Sequence, residues 1–400
     1  MVKAVKIRLL PTPEQEQLFW KSAGVARWAY NYFLGLNEEL YHEHLLDNTK
    51  PKSISEGAVR KHINNDLKPT THKWLKEVGS NVMKQAVKDA DLARKRWFKG
   101  LAGKPKFKSK HRAKPSFYVN YESLKRTATG FQGEKIGDVK TAQHGKRSSL
   151  TNLPKLKKGE KYSNPRISFD GRAWYLSVGY EVKRKEAELS GEIIGIDVGI
   201  KELAVVSTGK FYRNINKDKR ARKLKKRLRR EQRKLSRKQL ANIKKYKANR
   251  KPIWKRPLSE CKNIQKQNKT VNRTHRKIKN IRTNHLHQTS CEIVKTKPSR
   301  IVMEDLNVRG MMKNRYKARA IGEQSWHEFR RQMKYKSEYY GIEFAEADRW
   351  YPSSKKCSNC GNIKKDLKLK ERTYKCVCGF RLDRDLNAAI NLAHYINPGK

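Results

Sequence analysis

The sequence predicts an α/β protein with more than one domain, and three observations support this. The chain has 400 residues, which exceeds one ordinary domain. Residues 116–182 alternate apolar and polar positions, as antiparallel strands do. From residue 193 onward, short strands rich in β-branched residues are separated by long stretches in which apolar residues recur at helical spacing. The second half is therefore expected to mix helices with a buried sheet.

The first half contains two long helical patterns and several strands. Thr12, a following proline and Gln15 supply an N-cap, a first helical residue and a capping-box side chain, so a helix is expected to begin there. A second helix is expected over Ser80–Phe98, where apolar residues are interleaved with lysine and arginine. Asp170-Gly171, between two alternating runs, predicts a hairpin turn. We predict a β-barrel-like domain with a helical insertion after its first strand.

The second half begins with the apolar stretch IIGIDVGIKELAVVS at 193–207, which predicts two strands, and RIVMEDLNV at 300–308 predicts a third. Between them, residues 215–251 are extremely basic. A long helix with one apolar stripe is predicted here, because Leu224, Leu228 and Leu235 recur at spacings of four and seven residues. The alternative for this segment is a solvated or disordered run of charge.

Two more helices are expected in the second half. Residues 263–294 keep a helical pattern. Ser325 and Glu328 have the spacing of a capping box, and Gly341 is expected to end the helix that they begin.

Charge indicates the class of partner. The chain has 95 Lys and Arg against 38 Asp and Glu, a formal net charge of +57. Solubility alone needs a net charge of only roughly 2–8 in a small domain. A folded chain this basic repels itself unless a polyanion neutralises it, so nucleic acid is the expected partner and a merely soluble surface the weaker alternative.

Four of the six cysteines lie close together, at Cys357, Cys360, Cys376 and Cys378. Two close pairs, each followed by a glycine, suit a tetrahedral structural zinc. Free cysteines and thiol chemistry are the alternatives, and the single residue between the second pair departs from the usual ribbon spacing.

The six cysteines in 400 residues do not resemble the disulfide framework of a secreted protein. With neither a signal-peptide h-region nor a membrane-length apolar run, the chain is expected to be reduced, soluble and intracellular.

Three carboxylates are embedded in apolar contexts: Asp197 and Glu304 in predicted strands, and Asp385 at the start of an alanine-rich helix. A buried carboxylate needs a partner, a proton or a metal. An RNase H-like sheet would bring two such strands and a C-terminal helix to one edge, where Mg²⁺ or Mn²⁺ ions could hydrolyse a phosphodiester. Each acid, considered alone, also has an explanation that involves no catalysis. Asp385 or Asp383 could be a helix N-cap, Glu304 and Asp305 could end a strand in solvent, and Asp197 could pair with a lysine.

The sequence resembles the TnpB (OrfB) proteins of bacterial insertion sequences, relatives of type V CRISPR effectors. The resemblance rests on GIDVGIKELAVVS, IVMEDLNVRGMMKNR, the two cysteine pairs and LDRDLNAAINL in this order, and on ARWAYNYFL near the N-terminus. It implies an RNA-guided DNA endonuclease with a guide RNA, a target DNA and a RuvC catalytic set at Asp197, Glu304 and Asp385. It also implies three segments: a β-barrel-like (wedge) domain at 1–10 and 113–185, a helical recognition insertion at 11–112, and a RuvC-like nuclease domain at 186–400 containing a zinc knuckle at 355–380.

By the same resemblance, recognition of a short duplex motif beside the target falls to the N-terminal region, where Lys84, Gln85 and Lys88 are the candidates. On the basic helix, Lys225, Lys226, Arg229 and Arg230 are expected to contact phosphates rather than bases. The protein is expected in the bacterial cytoplasm, associated with the nucleoid when it acts on DNA.

Other functions remain open at this level. The chain could be a nuclease-inactive, RNA-guided DNA-binding protein, or a zinc-bearing RNA-binding protein in which the acids are incidental. A transposase fits poorly, because the sequence shows no tyrosine or serine recombinase constellation.

Overall fold

The computed structural model describes residues 1–110, 113–142, 153–185, 187–368 and 371–396. It divides the chain into two compact units, Met1–Val182 and Lys183–Lys400. Across these ranges, every helix is too short or too polar to cross a lipid bilayer.

The first unit contains a seven-stranded antiparallel sheet in the order β2-β6-β7-β1-β5-β4-β3. Its strands are β1 Val2–Leu10, β2 Ser116–Tyr118, β3 Lys125–Arg126, β4 Gly130–Gly133, β5 Gly137–Thr141, β6 Ser163–Phe169 and β7 Trp174–Glu181. The predicted hairpin is confirmed: Asp170 begins a four-residue loop between β6 and β7, and its side chain accepts the backbone N–H of Ala173 at 3.0 Å. Gly171 has φ 88°, a conformation that glycine adopts without strain.

The helices α1 Pro13–Leu46 and α3 Ser80–Phe98 contact this sheet, and α2 Glu56–His62 packs on α3. The predicted capping box is confirmed, because Thr12 Oγ1 accepts from Gln15 N at 3.3 Å and Gln15 Oε1 accepts from Thr12 N at 3.1 Å. Phe19 of α1 meets Phe117 and Trp174 of the sheet at ring-centroid distances of 5.7 and 5.2 Å. The core of the first unit therefore lies between the helices and the sheet.

The second unit is built around a five-stranded sheet in the order β10-β9-β8-β13-β14. Its strands are β8 Ser190–Asp197, β9 Glu202–Val206, β10 Phe211–Arg213, β13 Pro298–Glu304 and β14 Glu343–Ala347. The strands β8, β13 and β14 are parallel, whereas β9 and β10 pair antiparallel. Two separate hairpins are formed by β11 Ile243–Tyr246 with β12 Pro252–Trp254 and by β15 Thr373–Lys375 with β16 Arg381–Asp383.

The helices of this unit are α4 Lys219–Ala241, α5 Lys262–Lys295, α6 Val308–Met311, α7 Ala318–Gln324, α8 Trp326–Tyr340 and α9 Arg384–Ala393. Within the basic segment 215–251, the predicted long helix is confirmed as α4, and β11 follows it. The disordered alternative is wrong for α4. Its leucines Leu224, Leu228 and Leu235 are half-buried, whereas most of the basic side chains around them are exposed. The helix α4 packs along α5, and Gln267 of α5 donates to the backbone oxygen of Glu231 at 3.0 Å.

The predicted capping box at Ser325 is wrong. Ser325 adopts left-handed φ/ψ of 59° and 40°, and its side chain makes no capping hydrogen bond. The Glu328 carboxylate instead accepts two hydrogen bonds from Arg331, both at 2.8 Å. Helix α8 nevertheless begins at Trp326 and ends before Gly341, which has φ 76° as expected of a helix-terminating glycine.

Candidate active site and cysteine cluster

The three predicted acids are brought together at one edge of the five-stranded sheet. Asp197 is the last residue of β8 and Glu304 the last of β13, and these parallel strands are neighbours with Ile196 paired to Met303. Asp385 lies in the first turn of α9, which packs on β8 and β13. Residues separated by about a hundred positions in the chain thus face one another, as the sequence pattern predicts.

Helix α9 approaches β8 unusually closely at Gly195, two residues before Asp197. A Cβ at this position would lie 2.0 Å from the Ala389 carbonyl oxygen and 2.4 Å from the Ala393 amide nitrogen. Ala389 is fully buried. Only glycine on the strand, facing small residues on the helix, permits this backbone contact. Sequence analysis did not single out Gly195, although a glycine inside an apolar strand is a sign of close approach.

Asp383, rather than Asp385, caps helix α9. Its carboxylate accepts the backbone N–H groups of Asp385 at 2.9 Å and of Leu386 at 3.2 Å. The Asp385 carboxylate is therefore not occupied by capping. It lies 3.4 Å from the Arg384 guanidinium and 3.9 Å from that of Arg372. The two aspartates of the DRD motif consequently have different roles, one in capping and one facing the other acids.

Electrostatics distinguish these acids from surface carboxylates. Burial raises the pKa of Asp197 well above its usual range, the charges of Glu304 and Asp385 raise it further, and Arg384 opposes them. Burial also raises the pKa of Glu304, although the Ser353 hydroxyl, which donates to its carboxylate, lowers it. Like charges this close stay ionised together only if a cation compensates them.

The neighbouring Asp305 provides a contrast within the same segment. Its carboxylate accepts hydrogen bonds from Arg330 at 2.8 Å and from Arg349. These two hydrogen bonds lower the pKa of Asp305. Asp305 is therefore neutralised by arginines, whereas Glu304 faces other acids, so the alternative of a simple solvent-exposed strand end does not describe Glu304.

Oxygen ligands of this type suit hard divalent cations such as Mg²⁺ or Mn²⁺. Within the described residues, the three carboxylates are not grouped tightly enough to form a site for one shared ion, whereas the four clustered thiols are. A pair of ions roughly 3.5–4 Å apart does not require all three carboxylates to converge on one point. The donor set therefore fits hard divalent cations.

The raised pKa values predict how pH affects the protein when no divalent metal is present. A carboxyl group whose pKa is higher in the folded state than in the unfolded state disfavours folding once it ionises. We expect the contribution of Asp197 and Glu304 to the stability of the metal-free chain to be most favourable below the ordinary carboxyl pKa of about 4 and to be lost as the pH rises from there through the raised values.

Calorimetry between about pH 5 and pH 8, with and without Mg²⁺, measures this effect, and Asp197→Asn is the matched variant. The fall attributable to Asp197 should disappear in the variant and diminish when Mg²⁺ is present. A parallel pH dependence in the variant and the native chain would contradict the expectation.

The four predicted zinc ligands form one cluster. The sulfur atoms of Cys357, Cys360, Cys376 and Cys378 all lie within 4.8 Å of one another. The Cys357–Cys378 and Cys360–Cys376 sulfur pairs are 3.9 and 3.5 Å apart. A tetrahedral ion with Zn–S bonds of about 2.3 Å places its sulfurs about 3.8 Å apart, so the geometry fits zinc despite the short spacing of the second pair.

Backbone geometry and acidity also favour a metal at this cluster. Gly361 and Gly379 have φ of 78° and 83°, the left-handed conformation that the two knuckle turns require. The backbone N–H of Cys378 lowers the pKa of the Cys376 thiol to about 6. A backbone N–H at Asn362 favours the Cys360 thiolate, but the neighbouring thiols outweigh it and raise its pKa to about 12. Four thiolates can coexist here only around a cation.

Cys376→Ser should therefore remove bound zinc and lower stability. We expect zinc content to fall from about one ion per chain to well below that, and the melting temperature of the second unit to drop, because a structural zinc contributes directly to folding. Elemental analysis and calorimetry measure the two effects. Cys291→Ser, outside the cluster, is the control. An unchanged zinc content in the Cys376→Ser variant would show that Cys376 is not a zinc ligand.

A hydrogen-bond network connects helix α9 to the chain just before the cysteine cluster. Asn391 donates to the backbone oxygens of Ser353 at 2.8 Å and Lys356 at 2.6 Å. Asn387, one turn earlier on α9, also donates to Lys356 O, at 2.7 Å, and accepts the backbone N–H of Ser358 at 3.0 Å. Both asparagines are buried. Since Ser353 also donates to Glu304, one connected network joins the cysteine knuckle, α9 and an acid of the site.

Asn391→Ala should weaken this connection. It leaves the Ser353 carbonyl without this donor, which costs about 1–3 kcal/mol of stability, whereas the Lys356 carbonyl keeps its hydrogen bond from Asn387. We also expect a higher Mg²⁺ concentration for half-maximal cleavage, because Ser353 and Glu304 lose their alignment. A magnesium titration with zinc content measured in parallel checks this. A lower melting temperature with an unchanged magnesium requirement would limit Asn391 to a structural role.

The predicted nucleic-acid contacts lie in different surroundings. Lys88 on α3 is exposed and Lys84 half-buried, whereas the Gln85 amide donates to Asp89 at 2.9 Å. On α4, Lys226, Arg229 and Arg230 are exposed. Lys225 differs from these residues, because its ammonium group binds the Glu323 carboxylate at 2.6 Å and only 16% of its side chain is exposed.

Comparison with known proteins adds three matches to family models. Residues 177–315 match OrfB_IS605, described as "Probable transposase". Residues 326–392, which include the cysteine cluster and most of α9, match "Cas12f1-like, TNB domain". Residues 1–45 match the OrfB-associated "Helix-turn-helix domain". In this chain that last region is a strand followed by one continuous helix, α1.

Full-length relatives and one solved structure extend these matches. A protein of Streptomyces pristinaespiralis, named "Putative RNA-guided DNA endonuclease", is 30% identical over 98% of this chain and 88% of its own length. "Putative RNA-guided DNA endonuclease InsQ" of Escherichia coli K12 is 28% identical over 98% of this chain and 91% of its own. The protein chain in "Cryo-EM structure of the Cas12f1-sgRNA-target DNA complex" matches with a TM-score of 0.55 at 14% identity, covering 100% of this chain and 99% of that one.

The structural match shows that the chain has a fold of the Cas12f1 type, with a helix-and-sheet unit followed by a unit that contains the acids and the cysteine cluster. The sequence matches are more specific, because a relative at 30% identity is aligned along almost the whole chain. The chain belongs to the TnpB (OrfB) family.

Proposed function

We propose that the protein is a transposon-encoded, RNA-guided DNA endonuclease that hydrolyses a phosphodiester bond of its target at a single RuvC-like site. The observation that supports this most directly is the convergence of Asp197, Glu304 and Asp385 at one sheet edge, with burial and mutual repulsion raising the pKa of the first two. Family membership supports the RNA-guided part, since the relatives aligned over nearly the whole chain carry that activity in their names.

Within this proposal, the second unit is an RNase H-like (RuvC) nuclease domain. Its sheet order and the parallel pairing of β8 with β13 are those expected of such a domain. Two Mg²⁺ or Mn²⁺ ions, when bound, activate water and stabilise the leaving oxygen. The three carboxylates would hold these ions, Ser353 orients Glu304 by its hydrogen bond, and Asp383 keeps Asp385 available by capping α9 in its place.

The remaining segments take supporting roles. The segments 1–10 and 113–185 form the barrel-like wedge, 11–112 the helical recognition insertion, and 186–400 the nuclease domain with its zinc knuckle at 355–380. The cysteine cluster binds one structural Zn²⁺. Lys84, Gln85 and Lys88 are the candidates for recognising the duplex motif beside the target. The exposed side chains Lys226, Arg229 and Arg230 contact nucleic-acid phosphates. The protein recognises the backbone and the shape of the nucleic acid, and base pairing with the guide RNA recognises the sequence of the target DNA. The site of action is the bacterial cytoplasm, on nucleoid DNA.

Purifying the chain from cells and sequencing the RNA bound to it tests this proposal. We expect one defined transcript encoded next to the gene. Replacing the variable end of that RNA with a sequence matching a plasmid should direct cleavage of the plasmid in Mg²⁺ and not in EDTA. Random cellular RNA and no programmed cleavage would instead favour the zinc-bearing RNA-binding protein. Programmed binding without cleavage would favour the nuclease-inactive alternative.

A further inference from the structure

A cavity of about 750 Å³ lies within the first unit, between the C-terminal parts of α1 and α3 and the loop that follows α3. Ligand sites in proteins commonly measure roughly 300–1,000 Å³. Tyr41 from α1, Trp97 and Phe98 from α3, and Pro105 and Phe107 from the loop line this cavity. None of these residues belongs to the acidic site, the cysteine cluster or the predicted phosphate contacts.

Aromatic side chains of the cavity remain open to solvent. Phe98 is 64% exposed, Phe107 54% and Tyr41 41%. Trp97 stacks on Phe98, with ring centroids 4.7 Å apart and an interplanar angle of 28°. Exposed aromatic groups that line one cavity are typical of a binding surface rather than of a core. The faces of such rings are suitable platforms for another planar group.

Two cations of the cavity, Arg94 and Lys104, are held in position before any ligand binds. Arg94 Nη1 donates to Asn37 Oδ1 at 2.5 Å, and Asn37 is only 3% exposed. The Arg94 guanidinium carbon thereby lies 5.1 Å from the centre of the Phe98 ring. Glu38 is the acid that lines the described part of this cavity, and Lys104 binds its carboxylate at 2.7 Å. Lys52 and Lys106 add further positive charge at the rim.

Planar apolar faces beside positively charged side chains match a nucleobase joined to a phosphate. RNA-binding proteins commonly stack unpaired bases on aromatic side chains and arginine planes, because bases within a duplex are not accessible. We propose that this cavity binds an unpaired nucleotide of single-stranded RNA, with its base against Phe98 and Phe107 and its phosphate beside Lys52 and Lys106. This inference rests on the proposed function only in requiring that the chain bind RNA.

Binding of a fluorescein-labelled single-stranded RNA of about 12 nucleotides to the full chain, freed of cellular RNA, tests the proposal. About 0.5 M NaCl weakens the attraction of phosphates to lysine and arginine, so that stacking contributes most of the remaining affinity. We expect Phe98→Ala to weaken binding of the single strand roughly tenfold, since base–aromatic stacking is worth about 1–3 kcal/mol per base. The same RNA as a duplex should bind the variant and the native chain equally.

Two matched variants separate stacking from folding. Phe98→Tyr keeps an aromatic face and should bind like the native chain. Leu92→Ala changes an exposed apolar residue on the same helix, outside the cavity, and should also bind normally. Unchanged single-strand binding by Phe98→Ala would overturn the proposal, as would an equal loss for single strand and duplex. A loss confined to single-stranded DNA would overturn the assignment to RNA.

The same variants keep this proposal separate from the nuclease function. If the native chain cuts no programmed DNA but Phe98→Ala still binds single-stranded RNA more weakly, the proposed function fails and the cavity assignment stands. If programmed cleavage occurs and Phe98→Ala binds single-stranded RNA normally, the cavity assignment fails alone.

Discussion

Asp197→Ala should abolish programmed DNA cleavage while leaving binding of guide RNA and target DNA intact. Asp197 is the most central of the three acids, because the charges of both Glu304 and Asp385 act on it. Losing this carboxylate would remove one of the groups that would hold the Mg²⁺ ions, and with it part of the charge stabilisation that they would supply to the leaving oxygen. If that stabilisation is worth about 4 kcal/mol or more, the single-turnover rate falls by roughly a thousandfold or more.

Single-turnover cleavage of a labelled plasmid in Mg²⁺ and a gel-shift assay in EDTA measure the two activities separately. Asp197→Asn is the isosteric companion and should be similarly inactive. Asp66→Ala is the control, because this aspartate lies in the first unit with 62% of its side chain exposed. Cleavage by the Asp197 variants at the native rate would remove the acidic site from the mechanism.

Gly195→Ala should have the second largest effect, on stability and cleavage together. The added methyl group would overlap the backbone of α9, with the Ala389 oxygen 2.0 Å away, and a backbone atom cannot rotate aside as a side chain can. Overpacking of this kind costs about 1–3 kcal/mol and sometimes more. We expect a loss of unfolding free energy at the upper end of this range, about 3 kcal/mol. This loss should lower the melting temperature of the second unit by roughly 6–12 °C. Cleavage should also fall, because Asp385 moves away from Asp197 with the helix.

Gly191→Ala is the matched control on the same strand, since a Cβ there meets nothing within 4 Å. Calorimetry of both variants, and cleavage assayed at about 25 °C where both remain folded, distinguish the two effects. If Gly195→Ala melts and cuts like the native chain, the close packing of α9 on β8 does not position the site.

Much of the candidate site could be predicted because local sequence patterns indicate its chemistry. A carboxylate inside a β-branched strand is conspicuous at Asp197 and Glu304 whatever the fold. The thiol pairs at Cys357 and Cys376 likewise indicate a metal cluster by spacing alone. The capping box at Thr12 was also predictable, since all of its atoms lie within four consecutive residues. The sequence at Ser325 has a similar pattern but forms no capping box, because the backbone of Ser325 adopts a left-handed conformation that the pattern does not indicate.

Other features depended on residues distant in the sequence. Lys225 resembles its neighbours in a basic run, yet its ammonium group is bound to Glu323, nearly a hundred residues later. The choice between Asp383 and Asp385 as the cap of α9 depends on a single backbone turn. The connection of Asn391 to the knuckle joins an alanine-rich helix to a loop 35 to 38 residues before it. The spacing of Asn387 and Asn391, four residues apart on one helical face, would have indicated a shared partner but not which one.

The sequence by itself determined the kind of chemistry available: a strong positive charge for nucleic acid, four thiols for a soft metal and three carboxylates in apolar segments for hard ones. Composition and spacing are enough for this because ligand preference belongs to the side chain. Tertiary structure alone decided which carboxylates face one another and which are neutralised by arginine, as Glu304 and its neighbour Asp305 show. The physical reason is that burial and Coulomb interactions depend on distances in space, and here a glycine on β8 allows one helix to set those distances.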